Sequence, residues 1–204
     1  MSHALQALLA GSAALVDHGD DDREEEEMGE PVEATRGHRI DGGNHAIFSF
    51  ALAGNARFTL VSKKTGARFT FRVAAKRDER SKEIRCWFVS VLSGPDNGAD
   101  YAFLGTIFAN ERIQIGGGAW GPAYGTRKAD RPKFVHGKKS RISSSAPSAK
   151  AFAWWWSRIT AGEEPESCEV WHLGKCGRCG RDLTVPESIA CGLGPECASK
   201  MEGR

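Results

Sequence analysis

Four cysteines near the C-terminus, Cys176, Cys179, Cys191 and Cys197, have the type and spacing of a metal shell. A pair such as Cys176-Gly177-Arg178-Cys179 can hold one ion from a single tight turn. Backbone N–H groups in that turn point at the sulfurs and favour thiolates, and Gly180 after the second ligand supplies the permissive φ the turn needs. The second pair lies in Cys191-Gly192-Leu193-Gly194-Pro195-Glu196-Cys197. There Gly194-Pro195 reads as the start of a short helix ending near Glu202, and a thiolate at Cys197 gains from its dipole. The set predicts one structural Zn²⁺, because four thiolates leave no open position for water or substrate. Without the ion, thirty residues so poor in apolar groups do not fold. His172 and Cys168 lie just upstream and could each replace a ligand. A redox role for CGRC is disfavoured by the absence of a βαβ pattern and by the two further cysteines at ligand spacing. Two disulfides would need an oxidising compartment that nothing in the chain indicates.

A second group of residues has the chemistry of polyanion contact. Arg127, Lys128, Arg131, Lys133, Lys138, Lys139 and Arg141 face only Asp130 in one stretch. Further on, Lys150, Trp154 and Arg158 are spaced four apart, so on a helix they form one row that could stack a base between two phosphate contacts. The same row could instead be local cation–π packing. The chain has 204 residues and a formal charge of +2 that conceals an asymmetry. Residues 1–35 carry ten acids against one base, net −9, which leaves 27 bases and 16 acids, net +11, in the remainder. Such a body favours polyanionic partners, and the acidic segment is expected to weaken their binding by charge competition.

The elements that position these residues follow from periodicity. Residues 17–44 combine acids and glycines with few large apolar groups and read as a disordered tail. From about Ala46 to Ile115 the pattern is strand-like, with Phe58, Leu60, Phe69, Phe71 and Val73 recurring at period two around a Lys63-Lys64-Thr65-Gly66 turn. Arg68, Thr70 and Arg72 share the opposite face of their strand. Cys86–Leu92 is apolar on both faces, as in a central strand, and Ser93–Gly98 is a turn. Tyr101–Phe108 is a further strand, and Ile113–Ile115 a short fifth. Gly116-Gly117-Gly118 lacks the Gly-Lys-Ser/Thr ending of a phosphate loop. Residues 146–160 form the clearest helix, capped by Ser145, with Phe152, Trp155, Trp156 and Ile159 as its buried stripe.

The fold class is α+β: an antiparallel β-meander domain packed with one amphipathic helix, followed by a small treble-clef-like or ribbon-like zinc module. The boundaries are a tail at 1–44, the β domain at 45–126, the basic segment and helix at 127–170, and the module at 171–204. No apolar run is long enough to span a bilayer, the first residues lack the basic start of a signal peptide, and the cysteine usage suits a reducing, cytoplasmic compartment.

The segment CGRCGRDLTVPESIACGLGPEC resembles a small zinc-binding domain of unknown function found at the ends of assorted bacterial and phage proteins, helicase-like ones among them. Upstream, NARFTLVSKKTGARFTFRV, FVSVLSGPDNGADYAFLGTIF and APSAKAFAWWW resemble uncharacterised phage proteins with that tail, so the likeness runs over about residues 54–198. It implies zinc held by the four cysteines in a phage or mobile-element setting within a bacterial host, and it supplies no catalytic residues. The expected function is non-enzymatic nucleic-acid binding, to DNA or RNA. The alternative is a module that engages a host or phage protein. An enzyme is not expected: the histidines are scattered and no Ser/His/Asp, HExxH or paired-carboxylate arrangement occurs.

Overall fold

The computed structural model describes residues 37–108, 132–163 and 165–202, all within one compact unit, Thr35–Arg204. The acidic residues 1–35, the short strand expected at Ile113–Ile115, the glycine connector and Arg127, Lys128 and Arg131 lie outside the described residues.

The chain builds a seven-stranded, wholly antiparallel sheet from β1 (His38–Arg39), β2 (Asn55–Ser62), β3 (Arg68–Arg77), β4 (Ile84–Leu92), β5 (Tyr101–Phe108), β6 (Lys133–His136) and β7 (Cys168–His172). The order is β1-β7-β2-β3-β4-β5-β6, so β2 to β5 are the expected meander, β6 extends it from within the stretch read only as a basic segment, and β7 returns to lie between β1 and β2. Alternation sets the faces. Ala56, Phe58 and Leu60 of β2 pair with Val73, Phe71 and Phe69 of β3, and all six point to the same side. Trp87, Val89 and Val91 continue that side on β4.

Two helices cover it. Helix α2 (Pro147–Thr160) buries Phe152, Trp155, Trp156 and Ile159, the stripe expected from its spacing. Its N-cap is Ala146, which makes no side-chain cap bond, because the Ser145 hydroxyl is bonded to Ser143 instead. The expected Ser145 cap is therefore corrected. Helix α1 (Gly43–Ala51) overturns the strand-like reading of residues 46–51. Its Ile47, Phe48, Phe50 and Ala51 are buried, and a short apolar run that is covered almost all round leaves no periodicity to separate helix from strand. Residues 38–44, grouped by composition with the acidic tail, form β1 and enter α1. Their polar backbone is paired by β7, a partner distant in sequence.

Strand β7 crosses the expected boundary at 170/171 and joins the C-terminal segment to the sheet. Trp87 donates its indole N–H to the Leu52 carbonyl at 3.0 Å, and Trp156 donates to Pro132 at 2.9 Å, so both buried indoles also bind adjoining segments. The opposite side of the sheet carries no described helix. Phe88 there is 43% exposed, so β4, expected to be covered on both faces, is covered on one.

Candidate metal centre

The C-terminal segment begins where β7 ends. Gly174 and Gly180 take positive φ, +64° and +75°, on either side of a tight turn. The Cys176 amide donates to Arg181 O at 2.8 Å, Gly180 N to Cys176 O at 2.9 Å, and Leu183 N to Gly174 O at 2.7 Å. Lys175 and Asp182 face each other across the turn in a bridge and an ion pair. Helix α3 (Pro186–Cys191) follows and is closed by Gly192 at φ +74°. Helix α4 (Pro195–Glu202) starts at the expected Gly194-Pro195, with the Cys197 amide bonded to Gly194 O at 2.9 Å.

This arrangement gathers Cys176, Cys179 and Cys197, whose sulfurs all lie within 4.8 Å of one another. Sulfurs of a tetrahedral thiolate shell with bonds of about 2.3 Å stand about 3.8 Å apart, so the three are near coordination spacing. Cys176 is buried, Cys197 half-buried and Cys179 exposed. Burial works against a charged Cys176. The amides of Cys179, Gly194 and Arg178 and the Cys179 thiol nevertheless aim at its sulfur and bring its pKa down to about 7. Cys197 moves the other way. Burial, then hydrogen bonding and charge from Cys176 and Cys179, push it up to about 12. Thiolates this close repel each other unless a cation stands among them, and a three-sulfur donor set of this kind suits a soft divalent ion.

Cys191 lies outside that group. Its sulfur faces the carbonyls of Leu193 at 3.3 Å and Ser188 at 3.6 Å, and it lines a small cavity of about 90 Å³ between α1 and α4. Its backbone is nonetheless adjacent to the turn, since Gly177 N donates to Gly192 O at 3.0 Å. Neither alternative ligand joins the cluster. Cys168 pairs with Ser62, whereas the cysteine turn is bonded through Gly177 O to Asn55 N. Seven residues of β2 separate those points, roughly 23 Å along an extended strand. The His172 imidazole, 1% exposed, uses Nε2 on the Ile189 carbonyl at 2.8 Å and rests against Phe50 and His38.

The cluster is fastened to the sheet domain by Phe50. Its ring lies against the backbone of both Gly177 and Gly192; a Cβ on Gly177 would come within 2.7 Å of it, and one on Gly192 would collide more severely. These two glycines are therefore dictated by close approach, and Gly192 by its φ as well. A satellite core of Ala53, Cys176, Leu193 and Met201 completes the contact. The sequence carried no signal for Phe50 or for His172 as a latch, because both contacts are long-range.

Burial, then the neighbouring His38, holds the His172 pKa below its usual 6.5, against the opposing pull of the Ile189 carbonyl. The neutral ring is the form that the fold favours. Its contribution to stability is thus present above about pH 6.5 and lost as pH falls through the lower folded value. An NMR titration of the ring should give a midpoint below 6.5, and a midpoint above it would contradict this account.

The other candidate residues are dispersed. Lys133 lies on β6, where Phe134 packs on Phe152 beneath the helices, so Lys133 and Val135 point to the uncovered side. Lys138, Lys139 and Arg141 are exposed in the connection to α2. Lys150, Trp154 and Arg158 are exposed along α2 as expected, with Trp154 at 41%. Arg158 is ion-paired to Glu163 and lies over the Trp154 ring, 6.0 Å from its centroid, so part of that row is engaged locally. Among the described residues, no helix is long and apolar enough to cross a membrane.

No curated protein and no solved structure matches the chain. Residues 172–202, the segment from the His172 latch to the end of α4, match a family of unknown function, DUF6011.

Proposed function

We propose that this chain is a zinc-stabilised, non-catalytic accessory protein that binds nucleic acid. One observation carries the reading. Residues 132–150 contain five bases (Lys133, Lys138, Lys139, Arg141 and Lys150) and no acid. All five are exposed, and none is ion-paired to a described carboxylate. A run of unpaired bases held on a folded frame is suited to a polyphosphate backbone. The zinc reading rests on the three gathered thiols. Cys191, whose neighbour Gly192 is bonded to the cysteine turn, is the fourth ligand of this reading, and a closed four-thiolate shell keeps the metal structural. The non-catalytic reading rests on the sequence, in which no Ser/His/Asp, HExxH or paired-carboxylate arrangement occurs. The phage or mobile-element setting rests on the sequence resemblance alone.

Anisotropy titrations with single- and double-stranded DNA and RNA at two salt concentrations test the reading. Affinity should fall steeply with salt, and Lys138→Ala/Lys139→Ala should flatten the log–log slope by about 2. Absence of binding at low salt would dispose of it. A second reading, a module that engages a host or phage protein, is favoured by Phe88, Phe108 and Val135, which are 42–49% exposed on one side of the sheet.

A further inference from the structure

The side of the sheet that no described helix covers is basic on β2 and β3 and aromatic on β4 and β5, with Lys133 of β6 at its far edge. Cross-strand register defines it. One row runs from Arg57 on β2 to Arg72 on β3, Ser90 on β4 and Phe103 on β5. The next runs from Ala74 through Phe88 and Thr106 to Val135. Arg68 and Lys76 share the side of Arg72 on β3 by alternation. The carboxylate that β7 places on this side, Glu169, is engaged at the edge by Arg39 and Lys63.

Arg57 and Arg72 are the unusual feature. They stand directly opposite each other on antiparallel strands, where like charges are destabilising. Both are half-buried, and among the described residues neither has a carboxylate partner. The Arg72 Nε is buried without a hydrogen-bond acceptor. Arg57 lies over the Tyr101 ring, 5.9 Å from its centroid. Two half-buried guanidiniums side by side, one with a buried donor unused, suit a shared oxyanion, since the planar guanidinium fork matches phosphate geometry. About two strand spacings away, roughly 10 Å, Phe103 makes an edge contact with Phe88, and the Phe88 ring is 43% exposed.

We infer that this open sheet face binds single-stranded nucleic acid, with Arg57 and Arg72 holding one backbone phosphate and Phe88 and Phe103 stacking the bases beside it. Phosphate contacts alone would accept a duplex. The aromatic half selects unpaired bases, whose flat faces are hidden in a duplex. This placement rests on the nucleic-acid reading above but assigns it to a surface distinct from residues 138–150.

The test uses the full chain with a fluorescein-labelled oligothymidine and, separately, its duplex with oligoadenine. Wild-type protein should bind the single strand at least about tenfold more tightly than the duplex. Arg57→Gln/Arg72→Gln should weaken single-strand binding by about tenfold or more and flatten the salt slope by about 1. Phe88→Ala, at an exposed position that folding does not need, should weaken it by about tenfold. Lys138→Ala/Lys139→Ala should weaken both probes alike. Zinc content and thermal melting check that each variant is folded; if the arginine pair cannot be replaced without unfolding, Phe88→Ala decides. Wild-type affinity in Phe88→Ala, or in a folded arginine variant, overturns the placement and leaves the nucleic-acid reading standing. A wild-type protein that binds neither probe overturns the placement, and the nucleic-acid reading falls with it only when the RNA titrations described above also show no binding. Nuclease-resistant capture of a protein, abolished by Phe88→Ala while oligothymidine affinity is unchanged, gives this face to a protein and also overturns the inference.

Discussion

On the zinc reading proposed above, protein carrying Cys176→Ser is expected to lose one equivalent of bound zinc and to unfold over residues 174–202, while β2 to β5 stay folded. The size of the effect follows from how little else holds this segment. Its satellite core has four buried members, Ala53, Cys176, Leu193 and Met201, and one of these is itself a proposed ligand. Burial of a side chain the size of leucine or methionine contributes about 1.5–3 kcal/mol. A structural zinc contributes an apparent 10–16 kcal/mol. The apolar contacts are therefore the smaller part of what holds the segment folded. The sheet core, by contrast, uses Phe58, Phe71, Trp87, Phe152 and Trp155, none of which depends on the metal. Elemental analysis reads the zinc, and hydrogen exchange by mass spectrometry reads the local unfolding. Cys168→Ser, far along β2 from the cluster, should leave both unchanged. A Cys176→Ser protein with full zinc and native protection over 174–202 would refute the metal assignment.

Replacing Phe50 with alanine should cost about 3–5 kcal/mol, the range for deleting a fully buried aromatic ring. That is a large share of the 5–15 kcal/mol that holds a domain together. At this chain length it should lower the melting temperature by about 10 °C. The ring packs on Phe58 in the sheet core (centroids 6.2 Å apart), on His172 (5.4 Å) and on the backbones of Gly177 and Gly192. Its loss should thus do more than leave a cavity. The metal segment and the sheet should stop unfolding together, giving two transitions in calorimetry and faster zinc release to a chromogenic chelator. Phe88→Ala removes the same side chain from a half-exposed site where it touches Phe103 and should cost only about 1 kcal/mol. Equal destabilisation by the two substitutions would contradict the packing described.

Local physics made much of this readable beforehand. The stripe on α2 appears in the spacing of Phe152, Trp155, Trp156 and Ile159, because a helix face repeats every 3.6 residues whatever lies opposite. The turn at Cys176–Cys179 and the start of α4 at Pro195 were legible because glycine permits the positive φ a tight turn needs and proline fixes the φ of a helix start. Helix α1 was not legible, since Ile47, Phe48, Phe50 and Ala51 are enclosed from several sides and show no polar face.

By itself, then, the chain's order of residues determined the ligand chemistry near the C-terminus, the strand alternation of β2 and β3 and the buried face of α2. Each of these depends on neighbours within a few positions. Tertiary structure alone decided that β7 threads between β1 and β2, that Phe50 fastens the cysteine turn, and that Arg57 and Arg72 share one open surface with Phe88 and Phe103. Those features join residues tens of positions apart, and no local propensity encodes which distant strand a segment will meet. The meeting is set by the cooperative burial of the whole core.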